Sequence, residues 1–182
     1  MVIVKAVVFL GTALFSINTF ANGLCAFSKM GGGVPYQTAP QIAISDVQNV
    51  LDVLEIQGQL PVYLGPVQNA AAFPATFNSA AHIVYNPHFL NSLFEQNRYA
   101  ALSVLAHEVG HHVDNSRFSS NSWSRELGAD FVAGCALSRM NVSFNDATYA
   151  LKTMFDVYGS PSHPDTPKRL NAMKSGYQQC GN

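Results

Sequence analysis

The chain has 182 residues, of which 48% are hydrophobic, with 10 Lys plus Arg against 11 Asp plus Glu and a formal charge of -1. That length supports one hydrophobic core rather than two, and the even charge balance excludes a basic nucleic-acid-binding surface and a polyacidic tail. Charged residues make up 12%, about half the ~25% usual in soluble domains, and the ample apolar fraction excludes intrinsic disorder.

In chain order, residues 1–21 carry one charge, Lys5, followed by the apolar run Ala6-Val7-Val8-Phe9-Leu10-Gly11-Thr12-Ala13-Leu14-Phe15. The run is short for a bilayer span of about 20 residues. It closes on Thr19-Phe20-Ala21, which places small residues at the two recognition positions of a cleavage site. The expectation is a signal peptide over 1–21 and an exported protein, periplasmic or secreted. Residues 22–182 then form a single domain with no integral membrane segment. Export permits disulfides, and Cys25 and Cys180 stand near the two ends of that domain. Domain termini often lie close together, so these two are expected to pair. Cys135, in an apolar stretch, is expected to remain a buried thiol.

Residues 26–40, with Gly31-Gly32-Gly33, read as an irregular lead-in. Ser45-Asp46-Val47-Gln48 has the form of a helix-opening capping box, after which Val47, Val50, Leu51 and Leu54 recur at helical spacing until Gly58. Residues 60–64 form a short strand candidate, and residues 70–81, small and polar, read as a surface loop. His82-Ile83-Val84-Tyr85-Asn86 is a second strand, stopped by Pro87. Helices are expected over 99–113 and 124–140. A third opens at Ser143 and ends at Gly159. The last starts at Thr166-Pro167 and stops at Gly176. Several helices with a few short strands indicate an α+β fold.

Inside the 99–113 helix lies His107-Glu108-Val109-Gly110-His111, an H-E-x-x-H pattern. Two His at i and i+4 stand on one helix face about 6 Å apart along the axis, so both imidazoles can reach one ion. Glu108, rotated about 100° from His107, flanks such an ion and is placed to handle a water. Leu105, Ala106 and Val109 make the setting apolar, where two unexplained His would be unfavourable. A catalytic zinc takes three protein ligands and keeps a position open. Glu126 fits as the third, with Asp114, His112 and His163 as rivals. Asp130, one turn beyond Glu126, is placed to accept the outer N–H of a ligand His. His82 and His88, at a strand end and a turn, are not expected to bind metal. Arg169 is expected to lock the last helix through an acidic partner, and Trp123 to staple the Glu126 helix by packing.

His107-Glu108-Val109-Gly110-His111-His112, then Glu126-Leu127-Gly128-Ala129-Asp130-Phe131, then Ser162-His163-Pro164-Asp165-Thr166-Pro167-Lys168-Arg169-Leu170 form an ordered set. This set resembles the H-E-x-G-H, E-x-x-A-D and late His-Pro motifs of gluzincin zinc peptidases of the HtpX and CAAX-prenyl-endopeptidase type. The resemblance covers residues 80–177. It implies a zincin-like fold with one Zn²⁺ per chain held by His107, His111 and Glu126. It further implies Glu108 as general base and acid, Asp130 as orienter of a ligand His, and His163 as a stabiliser of the tetrahedral intermediate. Residues 82–86 are similar to the sheet edge strand over the cleft of such enzymes, where an extended polypeptide substrate would add. The membrane members of the group carry several transmembrane helices that this chain lacks, so a soluble exported peptidase is the closer match. The expected function is a zinc-dependent endopeptidase. The alternatives are a non-catalytic, metal-stabilised binding module, against which Glu108 argues, and a zinc hydrolase of a non-peptide amide.

Overall fold

The computed structural model describes residues 36–154 and 157–181. The expected signal peptide over 1–21, most of the lead-in and Cys25 lie outside the described residues. The order of elements is β1 (Gln37–Thr38), α1 (Gln41–Val53), β2 (Val62–Leu64), β3 (Ala70–Phe73), β4 (His82–Tyr85), α2 (Pro87–Gln96), α3 (Arg98–Val113), a 3₁₀ turn (Asn115–Phe118), α4 (Ser122–Arg139), α5 (Phe144–Ala147), α6 (Tyr149–Thr153) and α7 (Thr166–Cys180). The fold is α+β and mostly helical. Among the described residues no helix is long and apolar enough to cross a membrane.

The four strands pair in the order β1-β2-β4-β3, with β2 and β4 parallel and the two outer pairings antiparallel. Side chains alternate across the sheet. Val62, Ala70, Ile83 and Tyr85 therefore face the helices and join the core. Tyr63, Phe73 and His82 gather on the opposite face, where Phe73 and His82 stack at 5.2 Å between ring centres. β4 lies between β2 and β3. The expectation that residues 82–86 form an edge strand is thus wrong: Asn86 lies past β4 as the cap of α2, the edges are β1 and β3, and the one beside β4 is β3. Residues 70–73 were expected in a surface loop and instead form that strand. Ala70, Ala71 and Ala72 are all buried, and such small side chains look loop-like in sequence while letting α3 approach closely.

Local signals explain most helix starts. Asn86 Oδ1 accepts from His88 N at 3.0 Å with Pro87 at the first helical position, so Pro87 both stops β4 and opens α2, a helix not expected from sequence. Asn97 caps α3 and Asn121 caps α4 in the same way. α1 begins at Gln41, behind Pro40, one turn before the expected capping box. Its buried stripe starts at Ala43, and Ser45 takes a bond from Gln41 Nε2 at 3.3 Å instead of capping. The late helix expected to run from Ser143 to Gly159 is two short ones, α5 and α6, meeting at the fully buried Thr148.

α3 is the central element, buried on every side over residues 100–111 and packed by α1, α2, α4 and β3. α4 in turn packs along α7. The two run side by side in one direction: Asp130 meets Arg169, Gly134 meets Met173 and Cys135 meets Cys180. Gly176 does not end α7 but lies inside it, where a Cβ would collide with the Phe131 carbonyl of α4. Cys135 and Cys180 form a disulfide with Cα atoms 5.0 Å apart. This replaces the expected Cys25–Cys180 pair, because helix packing, not the proximity of chain ends, chose the partner.

Candidate metal centre

His107 and His111 stand one turn apart on α3, with ring centres 4.6 Å apart and ring planes nearly perpendicular. Glu126 reaches both from the start of α4: its Oε2 lies 3.4 Å from His107 Nε2 and its Oε1 3.5 Å from His111 Nε2. All three are buried, and one ligand atom from each lies within 4.8 Å of the others, so this group could hold a metal ion. Gly110, the fourth residue of the H-E-x-x-H pattern, makes the geometry possible. A Cβ there would lie 2.7 Å from Ala129 Cα and O, so only glycine lets α4 come this close to α3.

Asp130 stands one turn beyond Glu126. Its Oδ1 accepts from His107 Nδ1 at 2.8 Å, which fixes the proton on Nδ1 and turns the lone pair of Nε2 toward Glu126. Arg169 on α7 holds Asp130 in place, with Nε 2.8 Å from Oδ2 and Nη2 2.9 Å from Oδ1. This is the acidic partner expected for Arg169. Burial alone would raise the Asp130 carboxyl, but the Arg169 and His107 charges outweigh it and hold it below the usual carboxylate range. Burial, and then the nearby His107 charge, lower His111 to about 3, so this imidazole is neutral, as a metal ligand must be.

Glu108 points between α3 and β3. One carboxylate oxygen accepts from the Ala72 backbone N–H. The other, Oε2, is buried without a hydrogen-bond partner among the described residues. Burial raises Glu108 to about 7, with Glu126 adding to the rise and His107 and Arg169 opposing it. The Ala72 contact follows from strand alternation. Asn86 N donates to Asn69 O at 2.7 Å, so Asn69, Ala71 and Phe73 turn their main-chain groups toward β4 while Ala70 and Ala72 turn theirs to the open edge. No residue type in the sequence signals a main-chain donor of this kind.

Of the rival third ligands, His163 comes nearest, with Nε2 3.9 Å from Glu126 Oε2. Its Nδ1 lies 2.8 Å from Ser162 Oγ, and burial lowers its pKa. His112 turns away, its Nε2 3.3 Å from the His82 carbonyl. Asp114 accepts from Ser116 N at 2.6 Å and caps the 3₁₀ turn. His82 stacks on the far face of the sheet, and His88 is exposed on α2. Trp123 is only half-buried. It donates from Nε1 to Ser160 O at 3.1 Å, and so ties the loop carrying His163 to the start of α4 through a polar bond. No family model, curated protein or solved structure matches this chain.

Proposed function

We propose that the protein is a zinc-dependent endopeptidase of the zincin type, acting in an exported compartment. The observation that carries this reading is Glu108. A purely structural zinc site closes all four positions with protein ligands, whereas here two imidazoles and one carboxylate converge beside a buried acid with a bare oxygen. Two imidazoles with a carboxylate suit Zn²⁺. Zinc held by His107, His111 and Glu126 supplies Lewis acidity that polarises a carbonyl and makes water a nucleophile near neutral pH.

The chain's own residues account for the remaining requirements. Glu108, beside the candidate ligands with one oxygen free of hydrogen bonds among the described residues, would take the proton from the attacking water and pass it to the leaving amine. Asp130, held by Arg169, keeps His107 in its ligating tautomer. His163, with Nε2 3.9 Å from Glu126 Oε2, would donate to a carbonyl oxygen as it gains charge. The open edge of β3 offers the Ala70 main-chain groups to an extended polypeptide, which would lie beside Glu108. β3 thus takes the substrate role first expected of residues 82–86.

The test contrasts two glutamates. Glu108→Gln retains one zinc but loses turnover by about 10²–10⁴-fold, whereas Glu126→Ala loses zinc and is partly rescued by excess metal. Bound zinc and peptide hydrolysis are measured side by side. Full activity in Glu108→Gln would exclude this chemistry and leave a metal-stabilised binding module.

A further inference from the structure

Among the described residues the most exposed large hydrophobic side chains are Phe77, Tyr158, Phe118 and Val157, at 101%, 91%, 80% and 62%, while the others reach at most 48%. These four stand on three loops at one end of the molecule. The β3–β4 hairpin lies there because His112, in the last turn of α3, comes within 3.3 Å of the His82 carbonyl at the hairpin base. The 3₁₀ turn carrying Phe118 follows α3 directly. Trp123 Nε1 donates to Ser160 O at 3.1 Å, which joins the loop of Val157 and Tyr158 to the start of α4.

Two of these tips are held out by their own backbones. Thr76 N donates to Ser79 O at 2.8 Å across a bridge, so Phe77 sits at the apex of a closed turn. Arg117 Nη1 donates to the Val113 and Asp114 carbonyls at 2.8 and 2.9 Å, which fixes the turn beneath Phe118. Rings so exposed add little to the stability of the fold, and apolar groups exposed together mark a contact surface.

We propose that this end of the protein docks on a lipid bilayer, with Phe77, Phe118 and Tyr158 entering the boundary between headgroups and acyl chains. Area favours lipid over a protein partner. Three rings on separate loops offer at most about 750 Å², below the ~800 Å² per partner of a standard protein interface. Charge favours it too, because a cation stands behind the apolar tips. The Arg117 guanidinium lies 4.4 Å from the Phe118 ring centre, and Lys168 Nζ lies 5.3 Å from that of Trp123. A bilayer presents the complementary layers, acyl chains beneath phosphates, and interfacial segments meet them with aromatic rings and with Lys or Arg. The two acids on these loops are engaged: Asp114 accepts from Ser116 N at 2.6 Å, and Asp165 pairs with Lys168. Repulsion between carboxylates and phosphates is thereby small. Docking of this kind requires neither zinc nor turnover.

The chain has a single Trp, Trp123, and it lies at this end, so its fluorescence reports docking here and not elsewhere. The full chain, disulfide intact, is mixed with phosphatidylcholine vesicles, with and without phosphatidylglycerol, and with vesicles brominated high on the acyl chains. Expected are co-sedimentation with both compositions and quenching of Trp123 by the brominated lipid. Phe77→Ser/Phe118→Ser should weaken partition about 10-fold or more and lose the quenching, with an unchanged thermal midpoint because both rings are exposed. Ile42→Ser/Phe94→Ser, altering exposed side chains of α1 and α2, should bind as wild type does. Vesicle binding without quenching places the contact elsewhere and overturns the proposal. Binding that needs phosphatidylglycerol and vanishes in high salt overturns it as well, as does equal partition of wild type and Phe77→Ser/Phe118→Ser. Self-association without vesicle binding would assign the rings to a second copy of the chain and refute the lipid. Should the double variant fail to fold, quenching in wild type decides alone.

Discussion

Replacing Asp130 by Ala tests whether the network behind His107 is built as described. Asp130 is fully buried, and its two oxygens take three hydrogen bonds: one from His107 at 2.8 Å and two from Arg169 at 2.8 and 2.9 Å. Removing one partner of a buried ion pair leaves the other charge uncompensated and costs about 3–5 kcal/mol. The guanidinium must then turn elsewhere, and the carboxylate within reach is Glu126, with Oε2 3.9 Å from Nη2. That existing ion pair would tighten and pull on a candidate metal ligand. His107 would also lose the acceptor that sets its tautomer, and loss of such an outer partner weakens metal affinity about 10–100-fold. The double variant Asp130→Ala/Arg169→Met removes both charges together, so its loss of stability should shrink to the 1–3 kcal/mol or so of a packing defect. Urea unfolding of the zinc-free, disulfide-intact proteins measures the stability, and competition with a chromogenic chelator measures zinc affinity. Should Asp130→Ala lie within 1 kcal/mol or so of wild type, or the double variant be no more stable than the single one, the argument from charge compensation fails.

Three further outcomes follow from the fold. The Cys135–Cys180 bridge closes a loop over a sequence separation of 45. Opening it with Cys135→Ser and Cys180→Ser together should lower stability by about 4 kcal/mol on the chain-entropy relation, read from denaturant midpoints under non-reducing conditions. Gly176→Ala places a Cβ on the Phe131 carbonyl, and forcing α4 from α7 should lower stability by about 1–3 kcal/mol. A thermal midpoint equal to wild type would show that the two helices are not in backbone contact. Asp146 accepts from Ser143 Oγ at 2.6 Å and Asn97 Nδ2 at 2.9 Å, which hold its carboxyl below the usual range. A depressed carboxyl stabilises the fold above its unfolded pKa of about 4 and ceases to do so as pH falls through the folded value. Asp146→Asn should therefore remove part of the acid sensitivity of thermal unfolding below pH 4 or so, and an unchanged pH profile would contradict the bonds.

The sequence by itself determined the parts of the centre that lie on single helices. His107 and His111 face one way because an α-helix returns to the same side every four residues, and the same rule aligns Glu126 with Asp130. Ser143 and Thr166-Pro167 marked the starts of α5 and α7, while the Ser45 capping box and the stops at Gly159 and Gly176 misplaced helix ends. Tertiary structure alone decided what meets across elements. The Ala-rich run at 70–73 carries no strand signal, and it becomes a strand because α3 packs on it too closely for larger side chains. Glu108 meets Ala72 through the main chain, which no residue type announces. Cys180 pairs with Cys135, and not Cys25, because α7 lies along α4 at glycine-permitted distance. Arg169 finds Asp130 by the same packing. Backbone periodicity is local and can be read from residue spacing. Which surfaces touch depends on how small residues let whole elements approach, and that information is spread over both partners of each contact.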